Sequence, residues 1–112
     1  MDQELIQEII SFRDARNWKQ FHTPKDLAVS LSLEAAELLE VFQWSGTDLY
    51  CESKIDKIKE ELADIFNYAV LMADACNLDI NEIVREKIRR NNEKYPVEKS
   101  FGNAKKYTEF EE

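Results

Sequence analysis

The chain has 112 residues, which is enough for one domain with a single hydrophobic core and too short for a barrel enzyme. Its 23 acidic and 15 basic residues give a net charge of −8, which argues against duplex nucleic acid or an anionic membrane as a partner, since both need a basic surface. Because 44% of the residues are hydrophobic and only two are glycine and two proline, the composition excludes a many-stranded sandwich and predicts an all-α fold.

Apolar residues that recur at three- and four-residue steps predict four helices. They are expected near residues 3–17, 24–45, 54–76 and 80–94, followed by an irregular tail over 96–112. Thr23 and Asp26 form a capping box before the second helix, which Gly46 ends. Ser53 with Asp56 repeats that box before the third. We expect a single four-helix bundle-like domain, and apolar residues on more than one helix face predict that it assembles as a homo-oligomer.

The sequence also indicates the cellular location of the protein. The segment MDQELIQEII is acidic and lacks the features of a secretory signal, and no apolar run approaches the ~18 residues of a membrane span. Cys51 and Cys76 are too far apart for a CxxC metal or redox pair, so we expect reduced, passive thiols. These features predict a cytoplasmic protein that has no membrane partner.

Carboxylates interrupt the apolar pattern of the two central helices. Glu34 occupies a position where the spacing of the second helix calls for an apolar residue, and Glu37 follows three residues later. Glu61 and Asp64 repeat this arrangement on the third helix, and Tyr68 continues the same face. If the two helices pack antiparallel, the four carboxylates converge and bind one or two hard cations, Mg²⁺ or Mn²⁺. The alternative is a solvated acidic face.

A di-iron centre is a rival for these carboxylates. It needs a Glu-x-x-His motif on each of two helices, whereas the chain has one histidine, His22, preceded three residues earlier by Lys19. The ligand count therefore excludes it.

Basic residues are concentrated toward the C-terminal end. Residues 85–106 hold eight basic and three acidic residues, whereas residues 34–64 hold nine acidic and three basic ones. Candidate phosphate-binding residues in the basic stretch are Lys87, Asn91, Lys94 and Tyr95. Such donors beside a metal suit a polyphosphate, and the alternative is a basic helix end favoured by the helix dipole.

Aromatic residues lie where the helices connect. Trp18 and His22 fall between the first and second helices, and Trp44 falls at the end of the second. Aromatic rings at such corners either pack the helices together or stack on a nucleobase, and the residues alone leave both readings open.

Three segments carry a resemblance to a known family. SLEAAELLEVFQW, KEELADIFNYAVLMADACNLD and KIRRNNEKYPVEKSFGNAKKYTEF resemble the MazG-like all-α nucleoside triphosphate pyrophosphohydrolases, in particular the small stand-alone members of the dCTP pyrophosphatase type. The likeness runs from about Trp18 to Tyr107. It implies that Glu34, Glu37, Glu61 and Asp64 bind Mg²⁺ and perform catalysis. It further implies that Lys87, Asn91, Lys94 and Tyr95 hold the phosphates, and that Trp18, His22, Trp44 and Tyr68 lie near the nucleoside.

The resemblance implies Mg²⁺-dependent hydrolysis of deoxynucleoside triphosphates to the monophosphate and pyrophosphate, with a preference for dCTP, in the sanitation of the nucleotide pool. It also implies a dimer or tetramer of helical bundles. The alternatives are a nucleotide or metal sensor without catalysis, a phosphoribosyl-ATP pyrophosphohydrolase of the same superfamily, and a plain helical oligomerisation module.

Overall fold

The structure, a computed structural model, describes residues 1–110. Its α-helices are α1 (Gln3–Ala15), α2 (Pro24–Glu40), α3 (Ile55–Ala75), α4 (Ile80–Lys94) and α5 (Val97–Ser100). Single 3₁₀ turns span Trp18–Phe21, Glu52–Lys54 and Tyr107–Glu109. No β-strand occurs within residues 1–110, so the prediction of an all-α protein is confirmed. None of the helices in this range combines the length and the apolar composition needed to cross a bilayer.

The chain divides into two compact units, Met1–Leu78 and the residues from Asp79 onward. The first unit holds α1, α2 and α3, and the second holds α4 and α5. The domain boundaries stay a prediction.

Side-chain caps precede three of the four long helices, with Asp2 before α1, Thr23 before α2 and Asp79 before α4. The Thr23 hydroxyl accepts a hydrogen bond from the backbone N–H of Asp26 at 3.1 Å, and the Asp79 carboxylate accepts one from Glu82 at 3.1 Å. The predicted cap before α3 is wrong, because Ser53 lies inside a 3₁₀ turn and the residue before the helix, Lys54, makes no side-chain cap.

The predicted end of α2 at residue 45 is also wrong, since the helix ends at Glu40. From Val41 to Gln43 the backbone N–H groups donate to the carbonyl three residues back, so the chain tightens into turns. The Val41 carbonyl accepts from Cys51 Sγ at 3.7 Å and from Lys54 Nζ at 3.4 Å. These donors come from the connection to α3 and occupy a carbonyl that a longer helix would use itself.

The other helix ends lie closer to the residues at which they were predicted. α1 ends at Ala15 rather than residue 17, because Asn17 adopts a left-handed backbone with φ of 52°. The predicted irregular tail contains α5, which begins after the restricted backbone of Pro96, and a 3₁₀ turn at residues 107–109. The last two residues of that predicted tail lie outside the described range.

Helices α2 and α3 pack against each other in opposite directions, because the Val41 contacts join the end of α2 to the start of α3. The core of this unit is small. Its buried apolar side chains are Leu27, Val41, Cys51, Val70, Leu71 and Ala73.

A buried ion pair joins α1 to α3. Arg13 is 2% exposed, and its guanidinium lies 2.6 Å from the Asp74 carboxylate and 2.8 Å from that of Asp14. Moving α1 away from Asp74 would leave the buried guanidinium without this partner, while the free energy spent on removing it from water would remain. The ion pair therefore fixes α1 against α3.

The Asp74→Asn variant should lower the free energy of unfolding by ~1 to 3 kcal/mol, because it leaves Arg13 with less charge compensation in a buried position. Asp56→Asn is the matched control, since the Asp56 carboxylate on the same helix is 97% exposed and lies 4.0 Å from Lys59. Urea unfolding measures both variants. Equal losses in the two would contradict an anchoring role for Asp74.

Candidate active site

Acidic side chains from α2 and α3 form one cluster, which we call the acidic cluster. Glu34 of α2 and Glu61 and Asp64 of α3 each place one carboxylate oxygen within 4.8 Å of the other two. The Glu37 carboxyl group contacts those of Glu34 and Glu61. The antiparallel packing therefore brings together all four carboxylates that the sequence singled out.

The environment of the acidic cluster differs from one carboxylate to the next. Glu61 is 3% exposed, Glu34 and Asp64 are half-buried, and Glu37 is exposed. Burial, then contact with Glu37 and the negative charge around it, raises the pKa of Glu34 to about 7. Hydrogen bonding with Glu61 raises the pKa of Glu37. At neutral pH Glu34 therefore holds a proton part of the time, which relieves the repulsion.

Within residues 1–110, one cationic side chain contacts the acidic cluster. Lys57 Nζ lies 2.7 Å from Oε1 of Glu61, and this contact holds the pKa of Glu61 below its usual range. The Lys57 side chain is itself 56% exposed. A single exposed ammonium leaves most of the negative charge of the four carboxylates uncompensated.

The acidic cluster fits a divalent cation. Oε2 of Glu34 and Oε2 of Glu61 are buried and have no hydrogen-bond partner within residues 1–110. A buried carboxylate oxygen without a donor is costly, and a hard cation coordinated by oxygen supplies what it lacks. Glu34, Glu61 and Asp64 would hold the ion, and Glu37 lies next to them.

A cavity of about 520 Å³ adjoins the acidic cluster and shares Asp64 with it. It is lined by Leu5, Glu8, Ile9, Phe12, Arg13, Trp18, His22, Asp64, Asn67, Tyr68 and Leu71. The volume is within the range of sites for small molecules, and the lining combines apolar surface with a few polar groups, as such sites do. Trp18, His22 and Tyr68, which the sequence proposed for a nucleoside, thus line one cavity.

The ring of Trp18 is held by its neighbours on α1. Phe12 packs against it edge to face, with 5.8 Å between ring centroids, and the Arg16 guanidinium lies 3.6 Å from the centroid of the Phe12 ring. Trp18 remains 44% exposed. Its ring is therefore oriented by packing yet open to a ligand.

His22 lies in the lining in an environment that opposes its protonation. Burial, then the positive charge of Arg13, lowers the pKa of His22 below its ordinary value of 6.5, and Nδ1 is buried without a hydrogen-bond partner in the described chain. His22 is therefore a neutral imidazole at pH 7.

The remaining predicted site residues lie elsewhere. Trp44 is 88% exposed in the turn after α2 and is absent from the cavity lining. Lys87, Asn91 and Lys94 are exposed on α4. Tyr95 follows α4 and packs edge to face against Tyr107 and Phe110, at 5.9 and 5.7 Å between ring centroids. The binding roles of these residues stay predictions.

The contribution of α1 and of Asn67 to the cavity was not predicted from the sequence. Asn67 had a signal, because it lies three residues after Asp64 and so shares its helix face. Glu8 and Arg13 had none, because only the packing of α1 on α3 brings them to the site.

The chain is similar in sequence to proteins of a known family. A model of the MazG-like family matches residues 29–110. The dCTP pyrophosphatase 1 of Bos taurus is 38% identical over 103 residues, and that of Mus musculus is 37% identical over 103 residues. Each match covers 88% of this chain and 61% of the relative, so the chain spans about three fifths of the length of these relatives.

A solved structure is also similar. The crystal structure of a pyrophosphatase from Archaeoglobus fulgidus superposes with a TM-score of 0.76 and is 41% identical in sequence. The superposition covers 84% of this chain and 91% of that one.

Mg²⁺ and Mn²⁺ should raise the melting temperature of the protein, because they compensate the buried charge of the acidic cluster. The increase should be larger at pH 8 than at pH 6, since the ion displaces the proton that Glu34 holds below about pH 7. Glu61→Gln should abolish most of it, whereas Glu60→Gln, an exposed neighbour on α3, should not. Equal increases in the two variants, measured by differential scanning fluorimetry, would contradict the metal site.

His22 is the only histidine, so its imidazole signals titrate alone in an NMR experiment without divalent cations. The midpoint should lie below 6.5 in the folded protein and near 6.5 in urea, because burial disfavours the charged ring. Protonation then favours unfolding, so stability should fall as the pH drops through this range, and His22→Gln should remove that part of the fall. A folded midpoint at or above 6.5 would contradict this environment.

Proposed function

Because the chain belongs to the MazG-like family, we propose that it hydrolyses nucleoside triphosphates to the monophosphate and pyrophosphate with Mg²⁺ or Mn²⁺. The proposal rests on the position of Asp64, where the acidic cluster and the cavity meet. This residue belongs both to the acidic cluster and to the lining of the cavity that contains Trp18. A metal-bound triphosphate and the base of the same nucleotide can therefore be held side by side.

The chemistry follows from what the carboxylates can do. A bound Mg²⁺ neutralises triphosphate charge and lowers the pKa of coordinated water. Glu34, Glu61 and Asp64 would hold the ion, and Glu37 would accept a proton from the attacking water. The water oxygen forms a bond to the α-phosphorus, the bond from that phosphorus to the bridging oxygen breaks, and pyrophosphate leaves.

Glu37 is assigned as the base because it is the exposed member of the acidic cluster, so water reaches its carboxylate. A carboxylate that contacts the attacking water can accept its proton.

The cavity would hold the nucleoside. Trp18 offers an oriented face on which a base can stack, and His22 and Tyr68 offer polar atoms beside it. Trp44, an exposed ring of the same unit, is proposed as a second stacking surface. The curated relatives are dCTP pyrophosphatases, which supports dCTP as the preferred substrate and a role in the deoxynucleotide pool.

We propose that Lys87, Asn91, Lys94 and Tyr95 bind phosphate groups. Lys87, Asn91 and Lys94 recur on α4 at three- and four-residue steps, which gives a row of donors for a polyphosphate. Tyr95 directly follows the helix and offers a hydroxyl group.

We also propose a cytoplasmic homo-oligomer, either a dimer or a tetramer. Large apolar side chains are exposed on α2 and α3, where a second copy of the chain could cover them. They include Leu33, Leu39, Leu62 and Phe66.

A pyrophosphate-release screen over the eight common nucleoside triphosphates with Mg²⁺ tests the activity. Glu37→Gln and Asp64→Asn should each lower kcat by about 100-fold or more, because each removes a carboxylate from the acidic cluster. Glu40→Gln is the matched control, since Glu40 is exposed and lies one turn beyond Glu37 on α2.

Far-UV circular dichroism checks that the variants remain folded. Two results would end the proposal: nucleotide binding without pyrophosphate release, as in a sensor, or turnover that persists in a chelator.

A further inference from the structure

Two polar side chains of the cavity have no role so far. Glu8 of α1 and Asn67 of α3 line it, yet neither makes a hydrogen bond or an ion pair within residues 1–110. Arg13, by contrast, is already paired with Asp74 and Asp14. Glu8 and Asn67 are therefore free to contact a ligand that enters the cavity.

The position of Asn67 follows from the helix geometry. It lies three residues beyond Asp64, so its Cα is about 4.5 Å further along the axis of α3 from the acidic cluster. Tyr68 and Leu71 continue the same face. If the phosphates of a nucleotide lie at Asp64, its nucleoside therefore lies close to Asn67.

The position of Glu8 follows from the Arg13–Asp74 contact. Residues that precede this pair on both helices line one cavity, so α1 and α3 run alongside each other in the same direction. Glu8 lies five residues before Arg13, and the equivalent step back from Asp74 reaches Ala69. Glu8 and Asn67 therefore belong to a similar level of the cavity lining, one on α1 and the other on α3.

The two side chains differ in what they offer. An amide has one donor group and one acceptor, whereas an ionised carboxylate only accepts hydrogen bonds. Cytosine presents an exocyclic amine that donates and a ring N3 that accepts. Uracil presents a carbonyl oxygen in place of the amine, which a carboxylate repels, and an N3–H.

We propose that Glu8 and Asn67 read the edge of the base and select cytosine over uracil. Glu8 accepts a hydrogen bond from the exocyclic amine, and the Asn67 amide donates one to N3. The stacking ring of Trp18 tolerates any base, so the choice between the two pyrimidines falls to these polar groups. This assignment rests on the proposed function, because it places the base of the substrate in the cavity.

Binding of dCMP and dUMP with Mg²⁺, measured by calorimetry, tests the assignment without requiring turnover. The wild-type protein should bind dCMP about 10-fold more tightly than dUMP, the effect of one good edge contact. Glu8→Gln should bring the ratio close to one, mainly by strengthening dUMP binding, because the glutamine amide can donate to the uracil carbonyl. Asn67→Ala should weaken dCMP binding.

Glu4→Gln is the matched control, since Glu4 lies one turn earlier on α1 and is absent from the cavity lining. For Glu4→Gln, the ratio of the dissociation constants of dUMP and dCMP should equal that of the wild type. If Glu8 were merely structural, Glu8→Gln would weaken the binding of dCMP and dUMP equally. The ratio of their dissociation constants would then stay unchanged, which would overturn the proposal. Equal binding of dCMP and dUMP by the wild type would also overturn it.

The same variants separate this proposal from the proposed function. Pyrophosphate release from dCTP and dUTP with equal kcat/KM would reject base reading by Glu8 and leave the hydrolase activity standing. A preference for dCMP that Glu8→Gln removes, in a protein that releases no pyrophosphate, would uphold base reading and reject the hydrolase activity.

Discussion

The structure depends on one constraint, the close approach of four carboxylates between two antiparallel helices. Glu34 and Glu61 each bury an oxygen that has no donor in the described chain, and the repulsion shows in the pKa of Glu34, which rises to about 7. Helices usually avoid such contacts by turning acidic residues to solvent. Here α2 and α3 retain these contacts at their principal interface, so the protein is destabilised locally in a way that a bound divalent cation would relieve.

The rest of the first unit can be understood as a frame around this cluster. The Arg13–Asp74 ion pair fixes α1 against α3, and α1 in turn supplies one wall of the cavity that begins at Asp64. Phe12, also on α1, orients the Trp18 ring. One helix thus contributes both a structural anchor and one wall of the cavity.

Local signals in the sequence predicted most of the fold. The Thr23 cap of α2 involves residues three apart, and periodic apolar residues marked the four long helices. The convergence of the carboxylates could be predicted because each of two neighbouring antiparallel helices carries a pair of acidic residues three positions apart. The end of α2 could not, because the donors to the Val41 carbonyl come from the following connection. Glu8 of the cavity could not either, because α1 reaches α3 through a contact between residues 61 positions apart.

The most direct measurement is anomalous diffraction from crystals grown with Mn²⁺ and a non-hydrolysable α,β-imido analogue of dCTP. The account predicts a manganese peak between Glu34, Glu61 and Asp64, with the base of the analogue in the cavity beside Trp18. Manganese bound away from these carboxylates, or a base bound outside the cavity, would contradict it.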